Sequence, residues 1–248
     1  MRTKRAESYS PSFSTELHSN LAPLLFERVQ VDKQLVVLDI GLAMPSTVDL
    51  FSNFKCKLIF VDLYSAEVLS QDCPQDSVQD CPQDSVQDCP QDSVQDSVQD
   101  CFQDSSEKNA HQQLVDQFTA ALNLDAKTKI DICLFWDFFN YLDGTLFKAF
   151  IEALHPYISD NACGYGLGVL NARCQLPNVQ YGISKLDNLN QYSRSDAQKP
   201  VYPHSQRDLN NLLGYFDVDK SRLMPDGRVE YFIAQGSDSK FAKKAIFQ

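Results

Sequence analysis

The sequence predicts an α/β protein built on an open, mostly parallel sheet, with helices on both faces and an antiparallel hairpin at the C-terminal end. Three observations predict it. Four apolar runs, QLVVLDIG (34–41), KLIFVDL (57–63), KIDICLFWDFF (129–139) and ACGYGLGVL (162–170), are continuous rather than alternating, as strands covered on both faces require. Segments of helical periodicity lie between them. Further on, YFDVDKSRLM and RVEYFIAQ flank PDG at 225–227, the signature of a hairpin.

Residues 1–33 form a polar segment and a helix; residues 34–248 form the α/β domain, interrupted at 71–106. MRTKRAESYSPSF has basic residues but no apolar stretch, so no secretory signal is expected. TELHSNLAPLLFERV (15–29) is expected to be helical, interrupted near Pro23. STVDLFSNF (46–54) is a short helix. EKNAHQQLVDQFTAALNL (107–124) places Leu114, Val115, Phe118 and Leu122 on one face. DGTLFKAFIEALHPY (143–157) does the same with Leu146, Phe147, Phe150, Ile151 and Leu154, with Asp143 as N-cap and Pro156 helping to end it. Residues 171–204 hold Pro177, Pro200 and Pro203 with little periodicity and are expected to form a long loop, where function often resides. SQRDLNNLLG (205–214) starts with Ser205 and Asp208 at capping-box spacing and ends on Gly214 as C-cap.

The interruption repeats a QDxx unit nine times. Asp recurs at every fourth position from Asp72 to Asp104, with no Lys or Arg between. A helix would stack these like charges, each neighbour repelling the next by about 0.2–0.5 kcal/mol. Pro74, Pro82 and Pro90 would break it, and the few valines offer too little burial to offset ordering. Cys73, Cys81 and Cys89 lie eight apart, unlike the close pairs of zinc sites, and no glycine shapes a calcium loop. The segment therefore reads as a disordered, low-complexity insertion.

Setting it aside changes the charge picture. Nine of the eleven net negative charges belong to the repeat, so the body of the chain is close to neutral. That argues against a nucleic-acid partner, which needs a basic face. About 210 remaining residues suit one domain with an ample core. Cys56, Cys133 and Cys163 lie in or beside apolar runs and read as small buried hydrophobes in a reduced, cytoplasmic protein. No run reaches the length of a membrane span, so no membrane partner is expected.

In an open sheet of this kind, ligands bind beyond the carboxyl ends of the strands, where strand order reverses. The rule points to DIGLAMP (39–45), DLY (62–64) and WDFFNYLD (136–143). VVLDIGLAMPS followed by IFVDLY resembles the first two motifs of the class I S-adenosylmethionine-dependent methyltransferases, which have a Rossmann-like fold. KIDICLFWDFFNYL resembles that family's fourth strand and its flanking loop, and the terminal hairpin resembles its reversed seventh strand. The resemblance covers most of the chain outside the repeat and the first thirty residues.

What the resemblance implies is S-adenosylmethionine as cofactor and an unidentified small-molecule or protein methyl acceptor. Asp39 and Gly41 match the start of the turn around the methionine part, and Asp62 matches the acid that holds the ribose hydroxyls. A glycine lets backbone approach a ligand closely, and a carboxylate can accept from two hydroxyls. Ala43 stands in place of the second glycine and Pro45 in place of the third, and the repeat occupies the interval of the family's third strand. Trp136 and Asp137 are candidates to line the cofactor pocket, where an acid among rings suits a sulfonium; core packing is the alternative for the aromatics. The second functional reading, favoured by the departures at Ala43 and Pro45, is a non-catalytic binding or regulatory module on the same fold.

No catalytic residue is identifiable. Tyr181, Tyr202 and His204 are candidate bases by location in the long loop alone. YGISK (181–185) fits the Tyr–Lys spacing of short-chain dehydrogenases, but ten tyrosines make such a match unremarkable by chance. GYGLG (164–168) lies within a strand and reads as close packing rather than phosphate binding. His18, His111, His155 and His204 are scattered, so no metal site is expected. With no GxSxG or Walker motif, nothing points to a hydrolase or an NTPase.

Overall fold

The computed structural model describes residues 13–27, 33–69, 100–171, 174 and 176–235. A six-stranded sheet runs in the order β3-β2-β4-β5-β9-β8. It comprises β2 (Leu35–Asp39), β3 (Cys56–Phe60), β4 (Ile130–Trp136), β5 (Ile158–Val169), β8 (Phe216–Leu223) and β9 (Arg228–Gln235). The pairs β2–β3, β2–β4 and β4–β5 are parallel, while β9 runs antiparallel between β5 and β8. The sheet is thus the open, mostly parallel one expected, and its reversed strand is the second half of the hairpin. Gly227 turns that hairpin with a φ of 86°, a conformation that glycine adopts without strain. β9 is buried along almost its whole length, whereas the second half of β8 is exposed and carries Lys220 and Arg222, the polar dressing of an edge strand.

Alternation along each strand divides the core in two. Leu38, Cys133 and Phe135 face one side, where α3 (Asp100–Leu122), α4 (Gly144–Leu154) and α5 (Gln206–Leu212) cover them. Phe150 sits at the centre of this side, edge-on to Phe118, Phe138 and Phe135; each such pair contributes about 0.5–1.5 kcal/mol beyond area burial. Asp143 caps α4 by accepting from the Thr145 and Leu146 amides, both at 2.8 Å. Ser205 and Asp208 form the capping box of α5, and Gly214 follows with a φ of 66°.

Val37, Leu134 and Trp136 face the other side. Here the cover departs from expectation. Two short helices, α1 (Leu24–Glu27) and α2 (Pro45–Phe51), share it with a small antiparallel sheet of order β1-β7-β6, made by β1 (Phe13–His18), β6 (Val179–Lys185) and β7 (Asn188–Ser193). The helix expected over 15–29 is therefore a strand followed by one helical turn. Strand pairing with β7 overrides the weak helical pattern. The long loop expected over 171–204 contains a hairpin, closed by the two-residue turn Leu186–Asp187. In β5, a Cβ on Gly164 would lie 2.6 Å from the Phe135 ring and one on Gly168 2.5 Å from Tyr231; GYGLG serves close packing.

Residues 100–106, the end of the repeat segment, open α3, so the interruption is shorter than the repeat. The rest of the expected disordered insertion lies outside the described residues.

Candidate functional site

The chain leaves β2 for β3 on one side and returns as β4 on the other, so strand order reverses between β2 and β4. A ligand crevice is expected at the carboxyl ends of these two strands. Asp39 is the last residue of β2 and Trp136 the last of β4. Trp136 donates from Nε1 to Asp39 Oδ1 at 2.5 Å, and both residues are buried. The protein's own indole therefore spans the point where strand order reverses.

Each half of this contact is unusual. Burial pushes the Asp39 carboxyl up to about 8, against the opposing pull of the Trp136 hydrogen bond, so at neutral pH it is largely the neutral acid. Its Oδ2 is buried with no hydrogen-bond partner. Trp136 has a φ of 51°; a bulky residue in the left-handed region costs about 1–3 kcal/mol and persists only where its surroundings over-determine it. The ring stacks on Tyr181 at 5.7 Å and 16° and meets Tyr165 edge-on at 6.2 Å. Its Cδ1 and Nε1 stand 3.7 and 3.8 Å from where a Cβ on Gly41 would be. The side of Gly41 on which a side chain would project is thus occupied by indole.

The remaining predicted residues fall around this contact. Asp62 follows the end of β3, next to β2, where Val61 N donates to Asp39 O at 2.9 Å. Its Oδ2 accepts from Ser65 Oγ at 2.6 Å, and its Oδ1 is shielded without a partner. Asp137 is buried; its Oδ2 accepts from the Tyr141 hydroxyl at 2.9 Å. Burial pushes its carboxyl up to about 6, while Arg194, the Tyr141 bond and Arg228 pull it down. Ala43 is exposed, and Met44 is buried with 1% of its surface accessible. Pro45 opens α2 at the first helical position, where its missing N–H is no loss.

The small sheet presses on this end of the molecule. A Cβ on Gly182 would overlap Ser46 Oγ and come within 2.9 Å of the Met44 Cβ. Ile183 N donates to Thr47 Oγ1 at 3.2 Å. Tyr181, a candidate by location, lies in the cluster: its hydroxyl accepts from Arg228 Nη1 at 2.6 Å, and burial raises its pKa. Lys185 is exposed at the far end of β6, about 13 Å along the strand from Tyr181, too far to form a catalytic pair. Beyond β7, residues 194–204 run from Tyr64, after β3, to Asn140 and Leu142, after β4. The Arg194 guanidinium lies 3.6 Å over the Tyr64 ring, the Tyr64 hydroxyl donates to Ala197 O, and Tyr202 N donates to Asn140 O. Tyr202 and His204 lie on this strap; His204 bonds the Leu142 carbonyl and sits edge-on to Phe147.

Several residues here had not been singled out. Tyr64 lies at the end of DLY, a place the sheet rule indicated. Asn140 joins the Asp137 and Leu167 carbonyls to the Val169 amide. Glu230 is fully buried and accepts from Ser19 Oγ, the Asn20 and Leu21 amides and the Tyr165 hydroxyl; an acid amid the apolar RVEYFIAQ was its signal. Among the described residues, no group of three His, Cys, Asp or Glu side chains is placed to hold a metal ion. Nor is any helix among them long and apolar enough to cross a membrane.

No protein-family model matches the chain, and no characterised protein matches it in sequence. Solved structures align with 88% of it at low identity. The pyocyanin biosynthetic protein PhzM is 12% identical with a TM-score of 0.39, and the chain spans 55% of that protein's length. The Burkholderia thailandensis 1,6-didemethyltoxoflavin-N1-methyltransferase, solved with its substrate and S-adenosylhomocysteine, is 12% identical with a TM-score of 0.40 over 78% of its length. The glycopeptide N-methyltransferase MtfA is 8% identical with a TM-score of 0.41 over 96% of its length. Likenesses at this level assign no activity to the chain.

Proposed function

We propose that this chain is a non-catalytic protein of methyltransferase-like fold, a binding or regulatory module, rather than an S-adenosylmethionine-dependent methyltransferase. The observation that carries this is the Trp136–Asp39 hydrogen bond across the strand-order reversal. The resemblance puts the methionine part of the cofactor at the turn after β2. There the indole lies against Gly41 and takes one Asp39 oxygen, and Met44 is buried under the small sheet. The residues present, as arranged, do not fit that end of the cofactor. Methyl transfer would need the sulfonium methyl and its acceptor held in line at near-contact distance.

One observation favours the enzyme reading instead. The shielded, unpartnered Asp62 Oδ1 at the end of β3 suits a ribose hydroxyl. Calorimetry with S-adenosylmethionine and S-adenosylhomocysteine separates the two. The module reading expects no saturable heat at millimolar ligand from folded protein. Micromolar binding that Asp62→Ala weakens by about 1–3 kcal/mol would replace it with the enzyme reading.

A further inference from the structure

The slot filled by Trp136 has the features of a ligand site. It lies where open sheets of this kind bind ligands. Its floor is Gly41, which presents no side chain; its wall is the Tyr181 ring; its end is a buried carboxyl group. The occupant is a planar bicyclic ring, stacked on a tyrosine and donating one ring N–H to that carboxyl. Two facts set this occupant apart from ordinary core packing. Trp136 reaches the slot only through a left-handed backbone conformation, and it leaves Asp39 Oδ2 buried without a partner.

On the reading of this crevice as a binding module, we infer that the slot takes a planar heteroaromatic ligand with a ring N–H donor, and that Trp136 is a built-in substitute which the ligand displaces. An incoming ring reproduces the stack on Tyr181 and the bond to Asp39 Oδ1. It also releases the strained backbone of Trp136, which the indole needs in order to reach inward. A ligand with an acceptor beside the ring N–H takes the hydroxyl of the neutral Asp39 acid as well, satisfying the Oδ2 that the indole leaves unpartnered. Ligands of this class compete with the side chain, so their apparent affinity falls by the fraction of molecules in which the slot is open.

Trp136 is the sole tryptophan of the chain, so tryptophan emission reports on this one slot. The test titrates the full wild-type chain with benzimidazole and, separately, with 1-methylbenzimidazole, which has the same ring system without the N–H. Emission is excited at the red edge of tryptophan absorption. The expected result is a saturable red shift with increased iodide quenching for benzimidazole, and a response at least about tenfold weaker for the methylated ring, the loss of one hydrogen bond to a buried acceptor. Unchanged emission at millimolar benzimidazole, or an equal response to both rings, overturns the inference. Trp136→Gly suits the left-handed backbone and empties the slot; calorimetry of that variant should show indole binding at least about tenfold tighter than 1-methylindole. Equal affinities there also overturn it. If the variant does not fold, the wild-type titration decides. Failure here, with no heat from S-adenosylmethionine, removes the ligand assignment and leaves the module reading standing; heat from S-adenosylmethionine removes the module reading itself.

Discussion

The wild-type chain should lose stability between about pH 6 and about pH 8, and Asp39→Asn should abolish that loss. Buried beside a single N–H donor, the Asp39 carboxyl stays protonated up to about pH 8, whereas in the unfolded chain it ionises near the ordinary 3.8. Its folded pKa is raised. The stability it contributes is therefore complete below the unfolded value and is lost as pH rises through the folded one. Each pH unit inside that interval costs about 1.4 kcal/mol. Asp137, raised to about 6, adds a loss of the same sign at lower pH, so of the two acids only Asp39 acts across the upper window. His155 works the other way: burial and Lys129 lower its pKa from 6.5, so its contribution recovers as pH rises through that region.

Two pH units give a loss of about 3 kcal/mol, large against a typical total of about 5–15 kcal/mol. The assay is urea denaturation at a series of pH values, followed by far-ultraviolet circular dichroism so that the altered tryptophan environment does not enter the signal. The amide of the variant keeps an oxygen for Trp136 Nε1 and has no titrating proton. Its stability should be level across the window and exceed that of the wild-type chain at the alkaline end. A wild-type midpoint that holds or climbs from about pH 6 to about pH 8, or a variant with the wild-type slope, would refute the protonated state assigned to Asp39.

Three further substitutions probe the frame around the slot. Gly182→Ala forces a Cβ against Met44 and Ser46 and should lower stability by about 1–3 kcal/mol; Gly144→Ala, with open space around its Cβ, is the control, and equal losses on urea denaturation would deny the close approach of β6 to α2. Arg228→Met leaves the Tyr181 hydroxyl buried without its donor and should cost about 1–3 kcal/mol, with a changed tryptophan emission because Tyr181 is the stacking wall; wild-type emission and melting temperature would refute the coupling. Asp143→Ala removes the acceptor for two amides of α4 and should cost about 1 kcal/mol in thermal unfolding, with the emission of Trp136 unmoved.

The larger sheet was legible because its strands are apolar on both faces, α3 and α4 because their apolar residues recur at helical spacing, and α5 because Ser205 and Asp208 stand at capping-box spacing. The smaller sheet was not. NLNQYS and VQYGISK hide their alternation behind polar side chains, and Gln180 and Gln191 are buried there. The turn Leu186–Asp187 has none of the glycine or asparagine that announces a hairpin. β1 exists as a strand only through β7, a partner at least 170 residues away, and periodicity cannot report such a contact. In the site, the strand-end rule drew attention to Asp39, Asp62, Trp136 and Asp137, and of these Asp39 and Trp136 meet in a hydrogen bond. The left-handed backbone of Trp136 left no mark in the sequence, because WDFF reads equally well as a strand end packed in a core.

The closure of the crevice has a common origin that the position of each part makes plain. Asp39, Trp136 and Tyr165 belong to the larger sheet, and the remaining contacts around the indole come from β6 and the strap. Tyr181 supplies the stack, Gly182 brings β6 down on Met44, and the strap of residues 194–204 crosses Tyr64. These contacts differ in strength. β6 is tied to β7 along its length and seated directly on α2, so lifting it would break a sheet. The strap is held by separate bonds rather than a ladder, Arg194 to Asn178 and Val179, Asp196 to Asn178, Ala197 to Tyr64, Gln198 to Leu176, Lys199 to Leu69, Tyr202 to Asn140 and His204 to Leu142, and Ser195 to Gln198 are exposed. Segments with few buried contacts open at the lowest free energy. Tyr181 is thus the fixed wall of the slot and the strap its less firmly held cover, while displacement of Trp136 itself reorders the end of β4, where it pairs with Gly166.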